Sequence, residues 1–170
     1  MGKEIKTLLL LLIIFGGTNT NAQVYLDSLS KQSNAMLVAY SKSDYKTLLK
    51  RTHPKVAQTL GGAKSAEANL KKSVQALTAS GFSFKNVKLG KPSEMIKTGQ
   101  NYQCIIPQLA TAEINGKKAI VKSNLLCMSY DGGKNWYFIN AEKSQEASLR
   151  KLIPEISSKL VLPKTEFIPQ

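Results

Sequence analysis

Few residues in this chain can do chemistry, and their scarcity narrows the options. His53 is the one histidine in 170 residues. Its ordinary pKa alone lies near neutrality. It reads either as a general base in a pocket or as a helix-end residue before Pro54 that bonds a terminal carbonyl. Cys104 and Cys127 are the two cysteines. They read either as a disulfide or as two small buried apolar side chains. One His and two Cys do not make a metal site, so no metal and no cofactor is expected. The 11 acids form no paired-carboxylate constellation. No nucleophile elbow, Walker loop, His-Glu-x-x-His, Rossmann fingerprint or EF-hand loop is present. No catalytic residue is therefore assigned, and His53 stands as the sole candidate.

The strongest local signal positions several of these groups. Residues 101–114 and 117–130 alternate in polarity and flank Asn115-Gly116, a type I′ hairpin signal. With that two-residue loop, opposed positions sum to 231. One face then pairs Ala112 with Ala119, Ala110 with Val121, Gln108 with Ser123, Ile106 with Leu125, Cys104 with Cys127 and Tyr102 with Ser129. It carries no charge and is expected to be buried. The other face carries Glu113 opposite Lys118, and Lys122. Opposed cysteines can lie within disulfide reach. Gln108 and Ser123 are polar on an apolar face, so they either satisfy each other or line a ligand cavity with Tyr102. Pro107 signals an edge or a bulge.

Helical spacing dominates before residue 81. Leu26, Leu29, Met36, Leu37 and Tyr40 mark one face of a helix over about 24–42, which brings Tyr40 into the candidate ligand-binding set. Ser41–Asp44 offers N-caps. Tyr45, Leu48 and Leu49 begin a short helix that stops before His53-Pro54. Gly61-Gly62 is a break, and a further helix runs over about 64–79 to a Gly81 cap. Phe82 and Phe84 then alternate, and Val87 and Leu89 resume on the opposite parity, which signals a bulge. Residues 94–97 read as a short strand, 136–139 as another, and 144–152 as a short helix before Pro154. The last residues are expected to run extended across the body.

Lys3 and Lys6, the apolar run Leu8–Phe15 and the small residues Thr20-Asn21-Ala22 form a secretory leader with cleavage after Ala22. The run is too short for a membrane span. Residues 1–22 are thus a leader, 23–142 one domain, and 143–170 a C-terminal helix and tail on that domain. A secreted or periplasmic location follows. The net charge is +13, and removal of the leader's Lys3, Lys6 and Glu4 leaves +12. Only Arg51 and Arg150 are arginines. Scattered lysines attract polyanions weakly and generally, and no nucleic-acid recognition motif is present.

Ser129-Tyr-Asp-Gly-Gly-Lys-Asn-Trp136 resembles the Asp-box turn of sialidase-like propellers. It occurs once, so the resemblance implies a turn with Trp136 tucked beneath it and not a propeller. The order helix, short helix, link, helix, long bent strands resembles the cone-shaped nuclear transport factor two-like superfamily. Asp44–Pro54, Gly61-Gly62 and Asp131–Phe138 resemble secreted bacterial members of Bacteroidetes type. The resemblance implies an α+β fold with N-terminal helices on a strongly curved antiparallel sheet, often paired as a homodimer. That superfamily holds enzymes and non-catalytic binding modules, and no catalytic set of its enzymes matches here. The expected function is a secreted binding module for a small apolar molecule or partner protein, with Tyr40, Tyr102, Gln108 and Ser123 as contacts. The alternatives are an isomerase or hydro-lyase with His53 as base, and lysine-mediated binding of an anionic cell-surface polymer.

Overall fold

The computed structural model describes residues 20–114 and 116–170. Most of the expected leader, and Asn115 of the expected turn, lie outside the described residues. Four helices come first: α1 (Thr20–Ser41), α2 (Tyr45–Arg51), α3 (Pro54–Thr59) and α4 (Gly62–Ala79). The strands are β1 (Phe82–Leu89), β2 (Ile96–Thr98), β3 (Asn101–Ile114), β4 (Lys117–Ser129), β5 (Tyr137–Asn140) and β6 (Glu166–Pro169), with α5 (Glu146–Leu152) between the last two. The fold is α+β, with the N-terminal helices packed against a strongly curved antiparallel half-barrel sheet. That architecture agrees with the general cone-fold class.

The β3–β4 hairpin is the spine. Its register runs unbroken from Tyr102↔Ser129 to Ile114↔Lys117, which is the pairing derived from the two-residue loop. Two short strands share the outer edge of each spine strand: β1 and β2 on β3, β5 and β6 on β4. Pro107 makes no bulge against β4. It sits where β3's other neighbour changes from β1, which ends at Leu89↔Gln108, to β2, which begins at Ile96↔Gln103. A residue without an N–H is tolerated at such a gap, and its carbonyl still accepts from the Gly90 N–H at 2.7 Å. The expected bulge lies in β1, where the register shifts between Lys85 and Lys88 and Asn86 has φ 53°.

Strand parity divides the core in two. On one face Cys104, Ile106, Leu125, Cys127 and Phe138 pack with Trp136 and with Tyr25 and Leu29 of α1. On the other, Ile105, Leu126, Met128 and Ile139 pack with Ile153, Ile156, Leu160 and Leu162 of the C-terminal segment. Only the first burial follows from charge patterning. The second depends on the tail crossing that face, clamped by Gln103. Its amide donates to the Glu155 carbonyl at 2.6 Å and accepts from the Ser157 N–H at 2.9 Å. Arg150 completes the clamp through Glu146 and the carbonyls of Ile156, Ser157 and Leu160.

The buried face of α1 keeps part of the expected one: Leu29 is buried and Met36 packs against the core. Tyr25, Leu29, Ser33 and Ala39 are buried, while Leu26 and Tyr40 are exposed. Both sets have helical spacing.

Candidate functional site

The C-terminal end of α1, the start of α2, the last turns of α4 and the first residues of β1 enclose a groove of about 200 Å³. Each wall follows from local sequence. Asp44 caps α2 by accepting from the Thr47 N–H at 3.0 Å, which turns the chain sharply after α1 and sets Tyr40 beside Tyr45. Phe82 and Phe84 lie two apart in β1, so both project to one face. Their rings meet edge to face at 4.7 Å and 89°. Phe84 opposes Ala112, and that small residue leaves the ring room. Val74 and Leu77 of α4 form the opposite wall. Tyr40, Leu77 and Phe84 are 39, 50 and 37% exposed, so the groove presents apolar surface to solvent. Burial and the nearby Tyr45 push the Tyr40 phenol above its ordinary pKa, which keeps it a neutral hydrogen-bond donor. The groove combines ring faces with hydroxyl groups, and no acid or base lines it.

His53 is elsewhere. It is 3% exposed and caps the N-terminus of α3, not the C-terminus of α2. Its Nδ1 accepts from the Lys55 N–H at 3.2 Å. A backbone N–H can only donate, so Nε2 carries the ring proton and donates to the Tyr130 hydroxyl at 2.7 Å. Tyr137 packs against the ring edge-on at 6.1 Å. Burial depresses the His53 pKa against the opposing pull of Glu155, and burial with Glu155 and Tyr137 raises Tyr130 to about 12. Both ring nitrogens are engaged, and His53 lines neither the groove nor the larger cavity described below. The arrangement stiffens the α2–α3 junction and leaves no nitrogen free to take a proton from a ligand.

Cys104 and Cys127 are directly opposed, as derived, but the expected disulfide is absent: both are free thiols. Each is fully buried. Burial, then the Cys104 thiol beside it, pushes Cys127 well above its ordinary pKa. The pair fills space among Leu29, Trp136 and Phe138 as small apolar side chains.

The four expected ligand contacts do not converge. Only Tyr40 lines the groove. Gln108 and Ser123 satisfy each other, the hydroxyl donating to the amide oxygen at 3.1 Å. Tyr102 lies six residues from Gln108, roughly 20 Å along the strand. There it meets Tyr25 edge-on at 5.3 Å, with the Lys97 ammonium 4.2 Å from the Tyr25 ring centre.

The Asp-box turn forms as expected. Asp131 Oδ1 accepts from Ser129 Oγ and from the N–H groups of Lys134 and Asn135. Trp136 is 1% exposed, and its indole N–H donates to the Gly133 carbonyl at 3.0 Å. Gln32 joins α1 to this turn. Its amide nitrogen donates to Ser28 Oγ and the Lys134 carbonyl, both at 2.7 Å, and its oxygen accepts from the Trp136 N–H at 3.0 Å. Sequence reasoning missed Gln32, because a lone glutamine on a helix carries no pattern. It also read Phe82 and Phe84 as strand residues only, although alternating aromatics opposite an alanine were a usable sign of a cavity wall.

Among the described residues no group of three potential ligands could hold a metal ion, and no helix is long and apolar enough to cross a membrane. No protein-family model, no curated protein and no solved structure matches this chain.

Proposed function

We propose that the protein is an exported, non-enzymatic binding module of the cone-fold type, and that the groove at Tyr40, Leu77 and Phe84 takes a small apolar or aromatic molecule. The observation that carries the reading is apolar and aromatic surface left exposed on both walls of one concavity, where burial of a ring recovers hydrophobic free energy. The hydroxyls of Tyr40, Ser41 and Ser43 at its margin favour a ligand with one or two polar substituents. At about 200 Å³ the groove suits a single ring, below the 300–1,000 Å³ of drug-sized sites. Export is supported by the Lys3–Ala22 leader pattern.

The test uses a neutral single-ring probe, p-cresol, followed by saturation-transfer NMR, and native mass spectrometry of protein purified from its own host. The wild type is expected to bind the probe and to retain a small molecule that displaces it. Leu77→Arg, on an exposed helix position, is expected to abolish both while circular dichroism stays unchanged. Equal probe binding by wild type and variant would remove the groove from the account. A co-purifying protein lost in the variant would assign the groove to a partner's side chain instead.

A further inference from the structure

The two arginines differ in how they are matched. Arg150 is saturated: Glu146 takes its charge at 2.8 Å, and three main-chain carbonyls take further N–H groups. Arg51 is half-buried at the end of α2 and has one polar contact, the Gln32 side-chain oxygen. Among the described residues no carboxylate lies within ion-pair distance of it. A guanidinium taken partly out of water without a counter-charge is costly. Arg51 lines a cavity of about 420 Å³.

The charged residues that line that cavity, Arg51 and Lys31, are both basic. Lys31 lines it and among the described residues has no carboxylate partner; no acid lines it, and the Ser28 hydroxyl in its wall is already bonded to the Lys134 carbonyl and to Gln32. Gln32 forms part of the wall, and its hydrogen-bonding groups are committed to α1, the Asp-box turn and Arg51. The guanidinium is thus held in place by a residue that is itself fixed at three points. A pre-positioned planar fork beside a lysine matches an oxyanion, and the volume exceeds what an inorganic ion needs.

We infer that this cavity, with Arg51 and Lys31 in its lining, is a second binding site, for the carboxylate or phosphate group of a small organic anion. It is separate from the aromatic groove, with which it shares no residue. It also differs from diffuse lysine attraction, because it depends on one arginine.

The test is calorimetric titration of the full chain at low ionic strength with inorganic phosphate, glycerol phosphate and glucuronate. The fluorescence of Trp136 is followed in parallel, since Gln32 bonds both Arg51 and the Trp136 N–H. Saturable binding of at least one organic anion is expected, with preference between the last two assigning phosphate or carboxylate. Arg51→Lys keeps the charge but loses the fork, and is expected to weaken binding by about tenfold. Lys31→Gln, on an exposed position that cannot unsettle the fold, is expected to weaken it by about threefold. Lys88→Gln, on the opposite face of the sheet, leaves it unchanged. No saturable binding by the wild type, or equal losses in all three variants, overturns the site. If Arg51→Lys lowers the melting temperature, the contrast between Lys31→Gln and Lys88→Gln decides.

Discussion

At the scale of single residues, His53 shows how one side chain changes meaning with its surroundings. Its type and its place before Pro54 were compatible with a base or a cap. Burial and two engaged nitrogens make it a cap. The Nδ1 lone pair must stay free of a proton to accept from Lys55, so the folded state disfavours the charged ring, in line with the lowered pKa. Below the ordinary histidine value of 6.5 the unfolded chain takes up a proton that the folded chain resists. His53 therefore stabilises the fold fully above that pH and loses its contribution as pH falls toward the depressed folded value. Urea denaturation midpoints are expected to drop between about pH 7.5 and about pH 5.5, and His53→Gln is expected to flatten the drop. An unchanged slope in the variant would show that the histidine takes up protons equally in the folded and unfolded chains. Acids with lowered pKa, such as Asp131 and Glu155, titrate below this window.

At the scale of elements, the Asp-box turn and α1 form one unit. The turn was legible from eight residues, because Ser129, Asp131 and Asn135 bond one another and their neighbours locally. Its docking was not legible, because the partners Ser28 and Gln32 lie about a hundred residues away. The contact leaves no slack. Gly133 has φ 86°, and a Cβ built there would overlap the Tyr25 side chain of α1. Gly133→Ala is expected to cost about 3 kcal/mol through left-handed strain and overpacking together. Gly99→Ala, also at positive φ but with open space around it, is expected to cost about 1 kcal/mol. Guanidinium melts of both variants check the difference; equal losses would mean that α1 does not press on the turn. The hairpin register was legible for a similar reason: a two-residue loop fixes opposition by counting. The face of α1 was not, since Leu26 and Tyr40 continue the helical spacing of Leu29 yet are exposed, while Ser33 and Ala39 are buried.

At the scale of the whole molecule, the C-terminal segment is a second half of the core. Ile105, Leu126, Met128 and Ile139 are nearly dry because α5 and the tail cover them. Uncovering them at about 2 kcal/mol per side chain would remove much of the 5–15 kcal/mol that holds a domain of this size. A chain ending at Glu142 is expected to lose cooperative unfolding and to bind an apolar dye. A sharp, native-like melt of that truncation would show the tail to be an appendage. In the full chain, Gln103→Leu leaves the Glu155 carbonyl and Ser157 N–H unpaired and is expected to cost about 2 kcal/mol, read from the same melts.

What the sequence determined by itself is local. The helices α1, α2 and α4 (α3 stood in the sequence only as a link), the hairpin register, the bulge in β1 and the folded Asp-box turn all follow from neighbours, periods and turn chemistry that act over a few residues. The tertiary structure alone decided which residues of α1 are buried, that both His53 nitrogens are engaged at the α3 cap, and that Cys104 and Cys127 lie among apolar side chains. It alone brought Tyr40 to Phe84, and Lys31 to Arg51. Those outcomes depend on distances between segments far apart in the chain, where packing density and desolvation, not local pattern, set which side chains meet and which protons they keep.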